Sequence, residues 1–107
     1  MNLYKAAPPP PTCTPYHLGC YGNPNVNFLQ LLDNVASAEQ CMLACVNTPT
    51  CILIQYGHNS ATSTQYYCNL FASDFADTYD PDSEFTYAGY CDQYAFYTLD
   101  TCPVTPA

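Results

Sequence analysis

Between Ser37 and Asn47, Cys41 and Cys45 stand four apart with Met42 and Val46 beside them, a spacing that puts both cysteines on one face of a short helix. Ser37 suits the N-cap, and Gln40 stands where a capping box wants its partner. Glu39 puts a carboxylate in the first turn, where the helix dipole favours one. Pro49 ends the segment, because the residue before a proline is pushed out of the α region. The period then changes. Ile52-Leu53-Ile54-Gln55-Tyr56 is a nearly unbroken apolar run and predicts a central strand. The polar stretch from Gly57 to Thr64 predicts a hairpin loop, and Gln65 to Phe71 predicts the returning strand. On that strand Tyr67, Asn69 and Phe71 share one face and Tyr66, Cys68 and Leu70 the other.

The flanking pattern is weaker. Tyr16 to Tyr21 predicts a first strand and Gly22-Asn23-Pro24-Asn25 a turn. Val26 to Leu32 fits either a short strand or a helical turn, and Asp33-Asn34 reads as a turn. Ser73 to Glu84 reads as an acidic loop. Phe85 to Cys91 reads as a strand with Gly89 at a bulge, and Tyr94 to Leu99 as a last strand. These elements predict a small α+β domain, a curved antiparallel sheet crossed by one short helix at about residues 37–47. The domain is expected over residues 13–102, between a proline-rich arm (1–12) and a short tail (103–107). Pro8 to Pro11 suits polyproline II, as in a linker or a docking arm.

Composition adds three constraints. Eight cysteines in 107 residues, an even count, point to a disulfide framework and an oxidising, extracellular compartment. Met1 to Lys5 has no apolar core and is not a secretory signal, so a leader is expected to have been removed or the domain excised. No apolar run is long enough to span a membrane. Second, the formal charge is -8 with Lys5 as the sole Lys or Arg, which argues against nucleic acid and anionic membranes as partners. Third, eleven tyrosines and five phenylalanines, with no tryptophan, supply aromatic surface in excess of what a small core needs.

The cysteine order permits a nested pairing. Cys45 and Cys51 lie across the helix-ending turn; Cys41 could reach the returning strand at Cys68; Cys20 and Cys91 could join neighbouring strands; Cys13 and Cys102 remain, one near each end. Many other pairings are open to eight cysteines. A zinc site is disfavoured because no histidine or second tight cysteine pair stands at ligand spacing.

Residues 18–91 resemble a PAN/apple domain, through Gly19-Cys20-Tyr21, Ser37 with Cys41 and Cys45, Pro49-Thr50-Cys51, Tyr67-Cys68-Asn69-Leu70-Phe71 and Gly89-Tyr90-Cys91. The resemblance implies helix-to-sheet bridges at Cys41–Cys68 and Cys45–Cys51 and a terminus-joining bridge at Cys20–Cys91; Cys13 and Cys102 fall outside it, as an added outer clasp. A WSC domain is similar at Gly19-Cys20-Tyr21 and Tyr56-Gly57, but its Cys-Tyr-Cys-Gly ending is missing.

His17 and His58 belong to no motif of known mechanics, and the cysteines have disulfide partners, so no enzyme and no cofactor are expected. Asp80, Asp82 and Glu84 alternate like early calcium ligands but lack the glycine and closing glutamate of an EF-hand, so a solvated turn is expected. The strongest binding signal is tyrosine: Tyr66, Tyr67, Tyr87, Tyr90, Tyr94 and Tyr97 are too many for one core face, and exposed rings stack on sugars or anchor protein interfaces. The expected function is a secreted binding module for an extracellular or cell-wall glycan or a surface protein, as the PAN/apple resemblance implies. The alternative is a structural subunit of an extracellular filament or wall layer, self-associating through residues 1–12.

Overall fold

Helix α1 (Ala38–Val46) begins where the sequence places its cap. Ser37 is extended, and its Oγ accepts the Gln40 N–H at 3.2 Å. Asn47 closes the other end, its backbone N–H and its side-chain amide both donating to the Leu43 carbonyl. The structure is a computed structural model and describes residues 13–60, 63–82 and 91–105. Its remaining elements are strands β1 (His17–Leu18), β2 (Phe28–Asp33), β3 (Leu53–Gly57), β4 (Tyr67–Phe71) and β5 (Tyr94–Tyr97), and helix α2 (Phe75–Thr78). A single 3-10 turn at Cys91–Gln93 leads into β5.

The strands form one antiparallel sheet in the order β1-β5-β3-β4-β2. The apolar run puts β3 in its centre, where both faces are covered and neither needs polar residues. Alternation then separates two cores. Ile54, Cys68 and Leu70 face α1 and pack against Cys41, Met42 and Cys45. Leu53, Phe71 and Phe96 face the other way and pack with Tyr21, Val26, Phe75 and Tyr79. Burying a side chain such as Met42 stabilises the helix–sheet contact by about 1.5–3 kcal/mol.

Four disulfides join Cys13 to Cys102, Cys20 to Cys91, Cys41 to Cys68 and Cys45 to Cys51. The two inner bridges start from one face of α1, as their four-residue spacing requires. One bridge reaches β4, and the other closes the turn before β3.

Several local expectations are corrected. The acidic stretch is not all loop: Asp74 caps α2 by accepting the Asp77 N–H, and Phe75 and Tyr79 stack at 4.9 Å on the sheet's second core. The segment that fitted strand or helix is strand β2, which runs through Asp33, so the turn falls at Asn34 with φ +57°. The first strand shrinks to two residues, and the last stops at Tyr97 because Thr98 and Thr101 close a hydrogen-bonded turn. The arm (1–12) and the expected strand from Phe85 with its Gly89 bulge lie outside the described residues, apart from Cys91, which is in the 3-10 turn.

Candidate functional site

The sheet face opposite α1 is built in rows that the strand register sets. Tyr94, Gly57 and Tyr67 lie side by side across β5, β3 and β4, with Asp33 next in line on β2. The following row is Phe96, Gln55, Asn69 and Leu31. A cavity of about 300 Å³ opens over these two rows, floored by Gln55 and Asn69, flanked by Tyr67 and Tyr94, and bounded by Leu31 and Asn59.

Gly57 shapes the first row. A Cβ there would lie 2.2 Å from the Gln93 carbonyl oxygen and 2.9 Å from the Tyr94 ring, so glycine lets β5 and the Tyr94 ring come close. Tyr94 is buried, and its hydroxyl donates to Asn59 Oδ1. Gly57→Ala is expected to cost about 1–3 kcal/mol, as overpacking does, because the clash is with backbone and no side chain can yield. Urea unfolding with the Tyr94 ring followed by NMR checks this; an unchanged midpoint and unchanged Tyr94 shifts would refute it.

The floor is a relay of amides. Asn69 Nδ2 donates to Gln55 Oε1 at 2.8 Å, and Gln55 Nε2 donates to the Gly19 carbonyl at 2.8 Å. Gly19 is itself held by its N–H on the Tyr94 carbonyl at 3.0 Å. Its φ of +143° and the Tyr79 ring, 2.5 Å from where a Cβ would sit, restrict the position to glycine. Both amides are at least nine-tenths buried, and neither strand pattern marks them as a site.

A family model for the PAN domain matches residues 26–101, well over half of the chain. The chain belongs to the PAN domain family. Neither the search of curated proteins nor that of solved structures returned a match. The matched span starts after Gly19-Cys20-Tyr21 and runs past Cys91 through β5, so it holds all of the sheet but β1.

The PAN domain does not gather the candidate tyrosines on one surface. Tyr67 and Tyr94 belong to the cavity face. Tyr66 lies on the other side, stacked on Tyr56 at 5.3 Å and on His58 at 4.5 Å, and Tyr97 packs against the α1 core. Tyr87 and Tyr90 lie outside the described residues. So does Glu84 of the calcium candidate; Asp80 Oδ1 accepts the Asp82 N–H at 2.9 Å, closing a turn. Among the described residues no three His, Cys, Asp or Glu side chains converge as a metal site would need. No described helix is long and apolar enough to cross a membrane.

The α1 side has its own titration. Burial first, then Tyr66, Tyr97 and Glu39 nearby, push the Tyr56 phenol up to about 12, while its hydroxyl donates to the Val35 carbonyl at 2.6 Å. Burial, then Glu39, also raises Tyr97. The folded protein therefore keeps the Tyr56 proton above pH 10.0, where the unfolded chain loses it. This stabilisation is complete below pH 10.0 and is lost as pH rises through about 12. Denaturation curves across that window should show falling stability, and Tyr56→Phe should flatten the slope; an identical slope in the variant would remove Tyr56 as its cause.

Proposed function

We propose that this PAN domain is a secreted, non-catalytic module that recognises an extracellular or cell-wall glycan or a surface protein, with the cavity between Tyr67 and Tyr94 as the recognition site. PAN domains are typically binding modules for proteins or carbohydrates in extracellular proteins. The observation that carries the reading is a concave, aromatic-flanked site floored by oriented amides on a sheet that the Cys41–Cys68 bridge ties to α1. Such a site is largely formed before its ligand arrives, so little ordering cost is set against binding.

Tyr67→Ala should weaken binding to whichever wall or matrix fraction retains the protein by about tenfold, the loss of one aromatic anchor. Tyr66→Ala, on the opposite face, should leave it unchanged. The reverse pattern would move the site to the α1 side.

The alternative, a structural subunit assembled through residues 1–12, is favoured by one observation. Strand β2 is a sheet edge, and it exposes Phe28 and Leu31. Light scattering on the full chain and on a chain lacking residues 1–12 tests it; a full chain that stays monomeric at high concentration ends that reading.

A further inference from the structure

We infer that the cavity takes a neutral saccharide ring, an uncharged pyranoside, and that Asn69 selects it by accepting a hydrogen bond from one ring hydroxyl. The inference rests on the reading of the cavity as the binding site. Its foundation is the amide relay. A backbone carbonyl only accepts, so Gln55 must turn its amide nitrogen to Gly19. Its Oε1 is then left for Asn69, which must present Nδ2. Both orientations follow from the one carbonyl, and they leave Asn69 Oδ1 as the acceptor of the relay to which no described residue donates. Asn69 is only 6% exposed and lines the cavity, and no side-chain oxygen in the described structure is both sealed from solvent and unpaired. An acceptor in this position favours a ligand that brings a donor.

At the rim the groups have the opposite sense. Asn59 Oδ1 takes the Tyr94 hydroxyl, which leaves the Asn59 amide nitrogen as a donor at the rim. A hydroxyl both donates and accepts and satisfies either end. A carboxylate or sulfate accepts only and leaves Asn69 Oδ1 unpaired, while an ammonium donates only and leaves the Asn59 nitrogen without an acceptor. Every described lining side chain is uncharged. Asp33 extends the Tyr67 row, and the chain's formal charge is -8, so an anionic sugar meets repulsion that no Lys or Arg among the described residues offsets. Tyr67, Tyr94 and Leu31 offer the apolar walls against which the C–H faces of a pyranose pack. The volume, about 300 Å³, is at the lower end for small-molecule sites and suits one ring better than a folded protein loop.

The test varies the ligand, so that no variant need fold. The full chain, labelled with nitrogen-15, is titrated to millimolar concentrations with methyl glycosides of neutral hexoses, with the matching uronic acids and sulfated sugars, and with an uncharged flexible peptide. At least one neutral glycoside is expected to shift the Asn69 and Gln55 side-chain amides, and its anionic counterparts are not. Within the monodeoxy series of that glycoside, loss of one hydroxyl should weaken binding about tenfold or more, and the Asn69 amide should respond least to that analogue. Equal binding of the anionic forms, no sensitive hydroxyl, or no response to any neutral glycoside would overturn the inference. Shifts of the same amides by the peptide or the anionic sugars alone would overturn it while leaving the cavity as the site. Glycoside shifts confined to other surfaces would overturn both.

Discussion

Replacing Cys41 and Cys68 together by alanine is expected to lower the free energy of unfolding by about 2–5 kcal/mol, the usual loss for a native bridge in a small secreted domain. The bridge spans 27 residues, and releasing a loop of that length returns about 3.6 kcal/mol of entropy to the unfolded chain in the loop-closure relation. It also ties the middle of α1 to β4 across the wholly buried core, where Met42, Ile54 and Leu70 meet. Salt bridges have little to add in a chain with one Lys and no Arg, so the loss has no electrostatic reserve behind it. The Cys45–Cys51 bridge spans 6 residues, and the same relation gives about 2.2 kcal/mol. Urea unfolding of the two double-alanine proteins should therefore rank Cys41/Cys68 as the more damaging. An inverted ranking would mean that the helix-ending turn, and not the helix-to-sheet tie, limits stability.

Phe96→Ala is expected to cost about 3–5 kcal/mol, the range for deleting a buried phenylalanine. Phe96 is 0% exposed on β5, which is hydrogen-bonded on both sides, so the sheet cannot collapse into the space left. Its ring meets Phe75 edge-on at 5.3 Å and Tyr79 at 6.1 Å, and it approaches Phe71 at 6.3 Å. It is thus the floor on which the short helix α2 rests. A helix of four residues has almost no stability of its own, so hydrogen exchange in Phe75–Thr78 should accelerate with the global loss. Phe75→Ala, at a half-buried position, should cost less than Phe96→Ala. Equal costs would place the centre of this core on α2 instead of on the sheet.

Both predictions bear on the cavity as well. Phe96 shares a row with Gln55 and Asn69, and Cys68 precedes Asn69 on β4. Loosening either core frees the amide relay, so if the cavity is the proposed binding site its selectivity should be lost before its shape.

Local signals were enough for α1, β3 and β4. The helix carries its cap and stop between Ser37 and Pro49, and its two cysteines fall on one face by spacing alone. The alternation of Tyr67, Asn69 and Phe71 against Cys68 and Leu70 likewise determined which residues of β4 would share a face, because side chains on a strand have a period of two whatever they pack against. The order of the cysteines was compatible with nesting, and the PAN domain match places those elements in a known family. What the chain could not declare locally was which strands become neighbours. Tyr66 and Tyr67 are adjacent in sequence and lie on opposite faces, and the partner of Tyr67 across the cavity, Tyr94, comes from a strand 27 positions later. Helix α2 was hidden for a related reason, since a four-residue turn has no period to detect and exists by resting its aromatic rings on Phe96. Gln55 and Asn69 were hidden most deeply. Read along their strands they are two polar interruptions in apolar runs. Only the pairing of β3 with β4, and the arrival of the Gly19 carbonyl from a segment 36 residues earlier, turns them into an oriented floor. Neighbouring residues are enough to set which side chains of an element share a face. Which faces meet follows only from the fold, because a hydrogen bond between distant residues depends on register and topology, and neither is written in the neighbours of the residues that make it.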